Sequence, residues 1–197
     1  MSDNNGRIGL MGFDRLKLFP IVKNEAAAYE VGTGVAVPHV QNMTKEADVS
    51  EQKVYADDTL YLNVINFNGL NVEITVAEMD LANWAQLGFG EYDEATKTLK
   101  WNPQGTNKEF GMTFRCLMAN GKYRMYRFYR FAVSTVTEGE MATKGEDAGV
   151  RPYTITGTLS QRALDNSMSE IHDGDDYSWL DTIPSANGSD QDGEETP

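Results

Sequence analysis

The chain has 197 residues, of which 40% are hydrophobic and 10% aromatic, a composition that supports one globular domain with a real core. No apolar run approaches the roughly 20 residues of a membrane span. The N-terminus contains acidic residues and glycines that interrupt its short apolar stretch, so we expect no signal peptide there. The single cysteine, Cys116, excludes an internal disulfide. The formal net charge of −13 argues against a protein that binds the phosphate backbone of a nucleic acid.

Strand candidates begin close to the N-terminus. The first covers residues 16–22, where Pro20 indicates a sheet edge or a bulge, because proline cannot donate a hydrogen bond to a neighbouring strand. The segment "VGTGVAV" from residue 31 and residues 43–49 are weaker strand candidates. The "GTG" of this segment lacks the length and the lysine of a phosphate-binding loop.

Two adjacent carboxylates, Asp57 and Asp58, close the segment "KVYADD". In an extended segment, neighbouring side chains point to opposite faces, so these two carboxylates would not converge on one metal ion. The alternating oxygen ligands, the glycine and the closing glutamate of a calcium loop are also missing. We therefore predict a solvated turn or an interface contact here, and no metal site.

The next segments predict a hairpin followed by a helix. Apolar and polar residues alternate over 70–76, as in a half-buried strand, and Asn68-Gly69 predicts a turn that joins it to a partner strand over 59–67. Thr75 and Glu78 match a capping box, which predicts one short helix over about residues 76–88.

A second hairpin and a last strand follow. Alternation over residues 110–118, a turn at Asn120-Gly121 and a return strand from residue 122 form the hairpin, and residues 153–160 form a further strand. Cys116 lies on the apolar face of its strand, which indicates a buried structural thiol. No nucleophile motif surrounds either histidine, so we predict no enzyme, no cofactor and no metal.

Three arginines interleave with aromatic residues in the return strand: Arg124, Arg127 and Arg130. Such a pattern binds single-stranded nucleic acid in some proteins. However, the body of the chain is slightly acidic and has no second basic cluster. We therefore favour surface or inter-subunit ion pairs for these arginines.

The pattern predicts a mainly β protein: a single sandwich-like or barrel-like domain over residues 1–164 with one flanking short α-helix, and an acidic C-terminal extension over 165–197. Ten acidic residues and no lysine or arginine occur from residue 165 onward. We expect the extension to be partly disordered or to dock on a neighbouring subunit. Its segment "YSWLDTI", residues 177–183, has the apolar groups to dock on its own domain or a neighbour, whereas residues 185–197 have a disordered composition.

Several short motifs occur in an order that resembles the major tail protein family of long-tailed, non-contractile bacteriophages. They are "GLMGFDRLKLFPI", "YEVGTG", "KVYADD", "LGFGEYDEATKTLKW" and "YTITGTLSQRALD", and they extend over about residues 8–165. The acidic extension lies outside this resemblance.

The resemblance implies a structural virion protein that self-assembles into stacked hexameric rings, forming the tail tube through which DNA reaches the host. It implies synthesis in the bacterial host cytoplasm, no membrane, DNA that passes without specific binding, and partners at the tube ends: the tape measure, tail terminator and distal tail proteins. It also implies that residues 42–60 form a long loop toward the next ring. There Tyr55 and one of Asp57 and Asp58 would contact another subunit, with Arg124, Arg127 or Arg130 as the candidate cation.

The residues themselves leave a second hypothesis open. Three tryptophans and the arginine–aromatic strand also suit a soluble β-sandwich binding module that recognises a carbohydrate or a host protein.

Overall fold

The computed structural model describes residues 9–101, 108–139 and 151–187. Within these ranges the protein is mainly β, as predicted. The strands are β1 (Leu10–Glu25), β2 (Ala28–Val31), β3 (Val35–Ala36), β4 (Val40–Ala56), β5 (Thr59–Val76), β6 (Gly90–Asp93), β7 (Thr98–Trp101), β8 (Glu109–Met118), β9 (Tyr123–Glu138), β10 (Tyr153–Ser160), β11 (Ser169–Asp173) and β12 (Ala186–Asn187). The helix α1 covers Leu81–Gln86, and a 3-10 helix covers Tyr177–Asp181. None of the helices in these ranges is long and apolar enough to cross a membrane.

One large antiparallel sheet organises the chain. Its strands lie in the order β12-β2-β1-β8-β9-β10-β5-β4, with β3 added to β1 and β11 added to β9. The strands β6 and β7 form a separate hairpin beside α1. Strands β1 and β4 are far apart in the sheet order yet contact each other, so the sheet curls around its contents.

The main core lies inside this curl. Alternation in β5 directs Val72, Ile74 and Val76 inward, where each is at most 1% exposed, and this confirms the predicted half-buried strand. Strands β1, β8, β9 and β10 and the residue after α1 supply the other buried side chains: Leu16, Leu18, Leu87, Phe110, Met112, Phe114, Tyr126, Phe128, Phe131, Val133, Val136, Ile155 and Leu159.

A smaller core lies apart from the main one. It contains Phe19, Tyr29, Tyr129 and Ile183, with the Tyr29 hydroxyl donating a 2.6 Å hydrogen bond to the Tyr129 carbonyl. Gly111 makes this core possible, because a Cβ there would lie 2.3 Å from Ile183 Cδ1. Since Ile183 belongs to the C-terminal extension, at least this part of the extension belongs to the folded domain.

Residues 165–187, which we call the C-terminal segment, pack on their own domain. Strand β11 pairs with the first half of β9, Leu180 is 1% exposed, and β12 pairs with β2. The sequence left open whether residues 177–183 dock on their own domain or on a neighbour. The structure shows them on their own domain. The disorder predicted for residues 185–197 falls largely outside the described residues, which end at 187.

The turn predicted at Asn68-Gly69 is wrong, because β5 continues through it. The pairing skips from Asp48–Gly69 to Val49–Phe67, so Asn68 is the extra residue of a bulge, and Gly69 adopts a φ of 147° that favours glycine. The turn instead lies at Asp57-Asp58, between β4 and β5. The second predicted hairpin is confirmed, with Gly121 at a φ of 83° in its turn.

The helix is shorter than the predicted residues 76–88, and its predicted capping box is wrong. Thr75 and Val76 remain in β5, where they pair with β10. The helix begins after Asp80, whose carboxylate accepts a 2.6 Å hydrogen bond from the backbone N–H of Asn83. Sheet pairing therefore overrides the local capping signal at Thr75.

Candidate assembly surface

The outer half of the β4–β5 hairpin, residues 49–67, extends past the bulge, and we call it the arm. Its strands pair with each other from Val49–Phe67 to Ala56–Thr59. Apart from half-buried Val64, every arm side chain that the structure places is exposed. Its large exposed apolar residues are Val49, Val54, Tyr55, Tyr61, Leu62, Ile65 and Phe67.

The tip of the arm is a tight two-residue turn. Asp57 and Asp58 have φ values of 49° and 59°, and positive φ at both central positions is the pattern of a type I′ hairpin turn. Aspartate tolerates this left-handed conformation better than most residues. Asp57 and Asp58 therefore do not lie in an extended segment, as the sequence analysis assumed. The predicted turn is present. No group of three or more potential metal ligands occurs in the part of the chain that the structure describes.

The register divides the arm into two faces. Val49, Tyr55, Ile65 and Phe67 follow the alternation of the core-facing residues at the base of the hairpin. This face therefore continues the core side of the sheet beyond the body of the domain, where the described residues supply no covering layer. The same face also carries Glu51, Lys53 and Asn63 between these apolar residues. An uncovered face with several large apolar residues is suited to contact with another molecule.

Polar contacts hold the two strands of the arm in register. Asn63 Nδ2 donates to Glu51 Oε1 at 2.8 Å across the strands, and Lys53 Nζ lies 3.1 Å from the same oxygen. At the bulge, Asn68 Nδ2 donates to Asp48 Oδ1 at 3.4 Å. Each cross-strand pair of this kind contributes roughly 0.2–1 kcal/mol. The long loop predicted over residues 42–60 is wrong, because strand β4 continues to Ala56 and pairs with β5, which begins at Thr59.

The six residues predicted for inter-subunit contact fall into two separate places. Tyr55, Asp57 and Asp58 lie at the arm tip, whereas the three arginines lie on β9. Each of the arginines has an acidic partner in its own chain: Arg124 with Asp173 at 2.6 Å, Arg127 with Glu170 at 3.2 Å, and Arg130 with Glu109 at 2.6 Å. A contact between these arginines and the tip of a second copy stays a prediction.

Arg124 and Arg127 instead attach the C-terminal segment to the sheet, whereas Arg130 pairs with Glu109 of β8. Arg124 donates two hydrogen bonds to the Asp173 carboxylate, which holds the pKa of Asp173 below its usual range. Arg127 donates to the Trp179 carbonyl at 2.7 Å and stacks over its ring at 3.8 Å.

Sequence reasoning missed a further anchor of this segment. Arg162 donates two hydrogen bonds to Asp165 and lies 3.9 Å from the centre of the Tyr129 ring. The hydrogen bonds from Arg162 and from the Ser167 backbone hold the pKa of Asp165 far below its usual value. The separation of three residues between Arg162 and Asp165 was a local signal for the ion pair, but nothing local indicated the tyrosine.

Among the residues that the structure describes, the histidines and the cysteine have the following contacts. His39 lies 3.0 Å from Glu78 at an exposed position, and His172 stacks on Trp179. Cys116 is only partly buried, in contrast to the buried thiol predicted; it packs against the main core, and burial raises the pKa of its thiol. These geometries fit structural contacts.

The three tryptophans have different surroundings. Trp84 packs edge-on against Tyr153, Trp179 is covered by Arg127, and Trp101 is 61% exposed on β7. A sugar-binding platform needs exposed rings that act together. The tryptophan pattern that motivated a carbohydrate-binding module therefore has only Trp101 as an open ring.

The comparisons with known proteins give a coarse likeness to solved structures and nothing finer. No family model and no curated protein matches the chain. Among solved structures, the chain is similar to one in "Cryo-EM structure of the anti-feeding prophage (AFP) baseplate, 6-fold symmetrised", with a TM-score of 0.40 and 6% identity. The alignment covers 81% of this chain and 91% of that chain. At this score the likeness is one of general shape alone.

Proposed function

We propose that this protein is a structural subunit that self-assembles through its arm, and that the assembly is a phage tail tube of stacked hexameric rings. The arm is the observation that carries the proposal. It is a formed hairpin whose large apolar side chains have no covering layer in the described chain. Exposed apolar surface of this extent marks an interaction site.

The energetics favour burial of the arm. Tyr61 is 76% exposed, and Ile65 is 65% exposed. Full burial of a large apolar side chain contributes about 1.5–3 kcal/mol, so covering three of them contributes roughly 5–9 kcal/mol before the costs of association. Because the two strands are already paired, little further ordering is needed on binding.

The finer identity rests on the motifs and the charge. The motif order resembles tail-tube proteins, and the net charge of −13 suits a conduit through which DNA moves without adhering. On this proposal the protein is part of the virion tail and has no enzymatic activity. Its partners are its own copies and, at the tube ends, the tape measure, tail terminator and distal tail proteins.

Electron microscopy of the purified protein and of virions tests the proposal. Rings or tubes are expected from the wild type. The exposed Ile65→Ser change on the arm should abolish them while the monomer melts normally. Ile171→Ser is the matched control, because Ile171 is 60% exposed but lies on β11.

Two results would overturn the proposed function. One is a wild-type protein that stays monomeric under all assembly conditions and is absent from tail particles. The other is an equal loss of assembly in the Ile65 and Ile171 variants, since this would remove the specific role of the arm.

A further inference from the structure

A groove of about 610 Å³ opens at the end of the domain where α1 faces β1 and β3. Its floor is apolar and is formed by Leu18, Val37, Val76, Leu87, Phe110 and Ile155. A volume of this size lies within the roughly 300–1,000 Å³ of ordinary ligand sites and has room for several side chains.

The groove and the arm tip lie at opposite ends of one strand. Thr59, beside the tip, is the first residue of β5, and Val76, in the groove, is the last. At about 3.3 Å per residue, the strand separates them by up to roughly 55 Å. The arm therefore has no access to the groove of its own chain, while the groove of another copy is open to it.

The tip and the groove are complementary in polarity and charge. The tip carries exposed Tyr55, Tyr61 and Leu62 beside the two carboxylates of the turn. Lys108 stands at the rim of the groove, with its Nζ 3.4 Å from the Gln86 carbonyl and no acidic partner within the described ranges. Glu78 and Glu109 also line the groove, but Glu78 lies 3.0 Å from His39 and Glu109 pairs with Arg130 at 2.6 Å. Lys108 is therefore the charge at the rim that is left for a carboxylate of the tip, while the apolar floor suits the tyrosine and leucine side chains.

We propose that the groove of one subunit receives the arm tip of a second copy, with tyrosine and leucine side chains on its floor and Asp57 or Asp58 against Lys108. This inference rests on the proposed self-assembly and names the surface that the arm binds. The contact is heterologous, because it joins two different surfaces at opposite ends of the subunit. Copies joined in this way add in one direction, which is the growth expected of a tube.

Blocking the groove tests the inference. Ala36 lines the groove and is exposed on β3, so Ala36→Trp should fill the entrance and leave the fold intact. Ala95→Trp, at an exposed position in the β6–β7 turn, is the matched control. Sedimentation should show at least a tenfold loss of assembled protein for Ala36→Trp and none for Ala95→Trp. Gln86→Trp, at the other wall, replaces Ala36→Trp if that variant melts early.

A double-mutant cycle tests the charge contact. Lys108→Glu should weaken assembly in the wild type by repulsion from the tip. It should have at least fivefold less effect in a D57N/D58G background, which removes both carboxylates and keeps a turn sequence suited to type I′. Coupled effects support the contact, and additive effects overturn it.

The possible failures are distinguishable. If the wild type does not assemble, the proposed function fails. If the wild type and both groove variants assemble equally while Ile65→Ser does not, the arm acts elsewhere and only the groove inference is overturned.

Discussion

The arm and the C-terminal segment both lie outside the main core. The exposure of each segment is the reverse of what its composition suggests. The arm is rich in large apolar residues, yet almost all of its placed side chains are exposed. The C-terminal segment is acidic, yet it buries Leu180 and Ile183 to 1% and 4% exposure. From composition alone, one would expect the arm to be buried and the C-terminal segment to be exposed.

The difference lies in what the sheet offers to each segment. The C-terminal segment finds arginines on β9, a free strand edge for β11, and space above Gly111. The arm has its two strands and little else of the described chain against it. Under the proposed function, the arm is covered by another molecule, whereas the C-terminal segment is paired within its own chain and stabilises the subunit itself.

The largest expected effect comes from the same substitution made in the two segments. Leu180→Ala should lower the free energy of unfolding by about 2–5 kcal/mol, because it leaves a cavity in packed surroundings. Leu62→Ala, at a side chain that is 49% exposed on the arm, should change it by less than about 0.5 kcal/mol and should weaken assembly instead.

Urea denaturation of the monomer and sedimentation of the assembled form measure the two effects. A large loss of monomer stability from Leu62→Ala would mean that the arm is covered by its own chain. That result would remove the contrast between the segments.

The sequence predicted those parts of the fold in which one local pattern has one meaning. Alternation over 70–76 marked a half-buried strand, and alternation over 110–118 marked the strand β8, although β8 is buried on both of its faces. The pair Asn120-Gly121 marked a turn correctly, with Gly121 at a φ of 83°. Asn68-Gly69 failed since the same pair suits both a turn and a bulge, and pairing with β4 decided between them.

The geometry at the arm tip was predicted in part. The sequence predicted a solvated turn or an interface contact at Asp57-Asp58, and the turn is present, but the hairpin depends on the long partner strand and not on the turn residues alone. The acidic partners of Arg124 and Arg127 lie 49 and 43 residues away in sequence. No local sequence pattern indicates ion pairs between residues so far apart in the chain. The arginines therefore remained candidates for contacts with a neighbouring subunit.

A smaller effect is expected from the ion pair that fixes the start of the C-terminal segment. Asp165→Asn leaves Arg162 without its charged partner, at a side chain that is only 10% exposed, and should cost roughly 1–3 kcal/mol at pH 7. Asp175→Asn is the control, because Asp175 is exposed and has no ion pair among the described residues.

The direction in which this stabilisation changes with pH follows from the lowered pKa of Asp165. Because Arg162 lowers the pKa of folded Asp165, the unfolded chain binds the proton more readily. The stabilisation is therefore complete above the unfolded pKa of about 3.9 and is lost as the pH falls further. Thermal melts should show wild type and Asp165→Asn converging below about pH 4, and a constant difference between them would contradict the role of the charge.

The smallest effect is expected at the arm tip, where the aim is to strengthen the hairpin without touching the domain. Asp58 has a φ of 59°, which costs most residues about 1–2 kcal/mol and costs glycine little. Asp58→Gly should therefore stabilise the arm by up to about 1 kcal/mol, and slow amide hydrogen exchange in residues 49–67 by up to about fivefold. Exchange at Ile74 and Leu180 should not change, since both lie in the body of the domain. A gain in global stability equal to the gain in the arm would show that the arm unfolds together with the core, and its independence from the domain would then be lost.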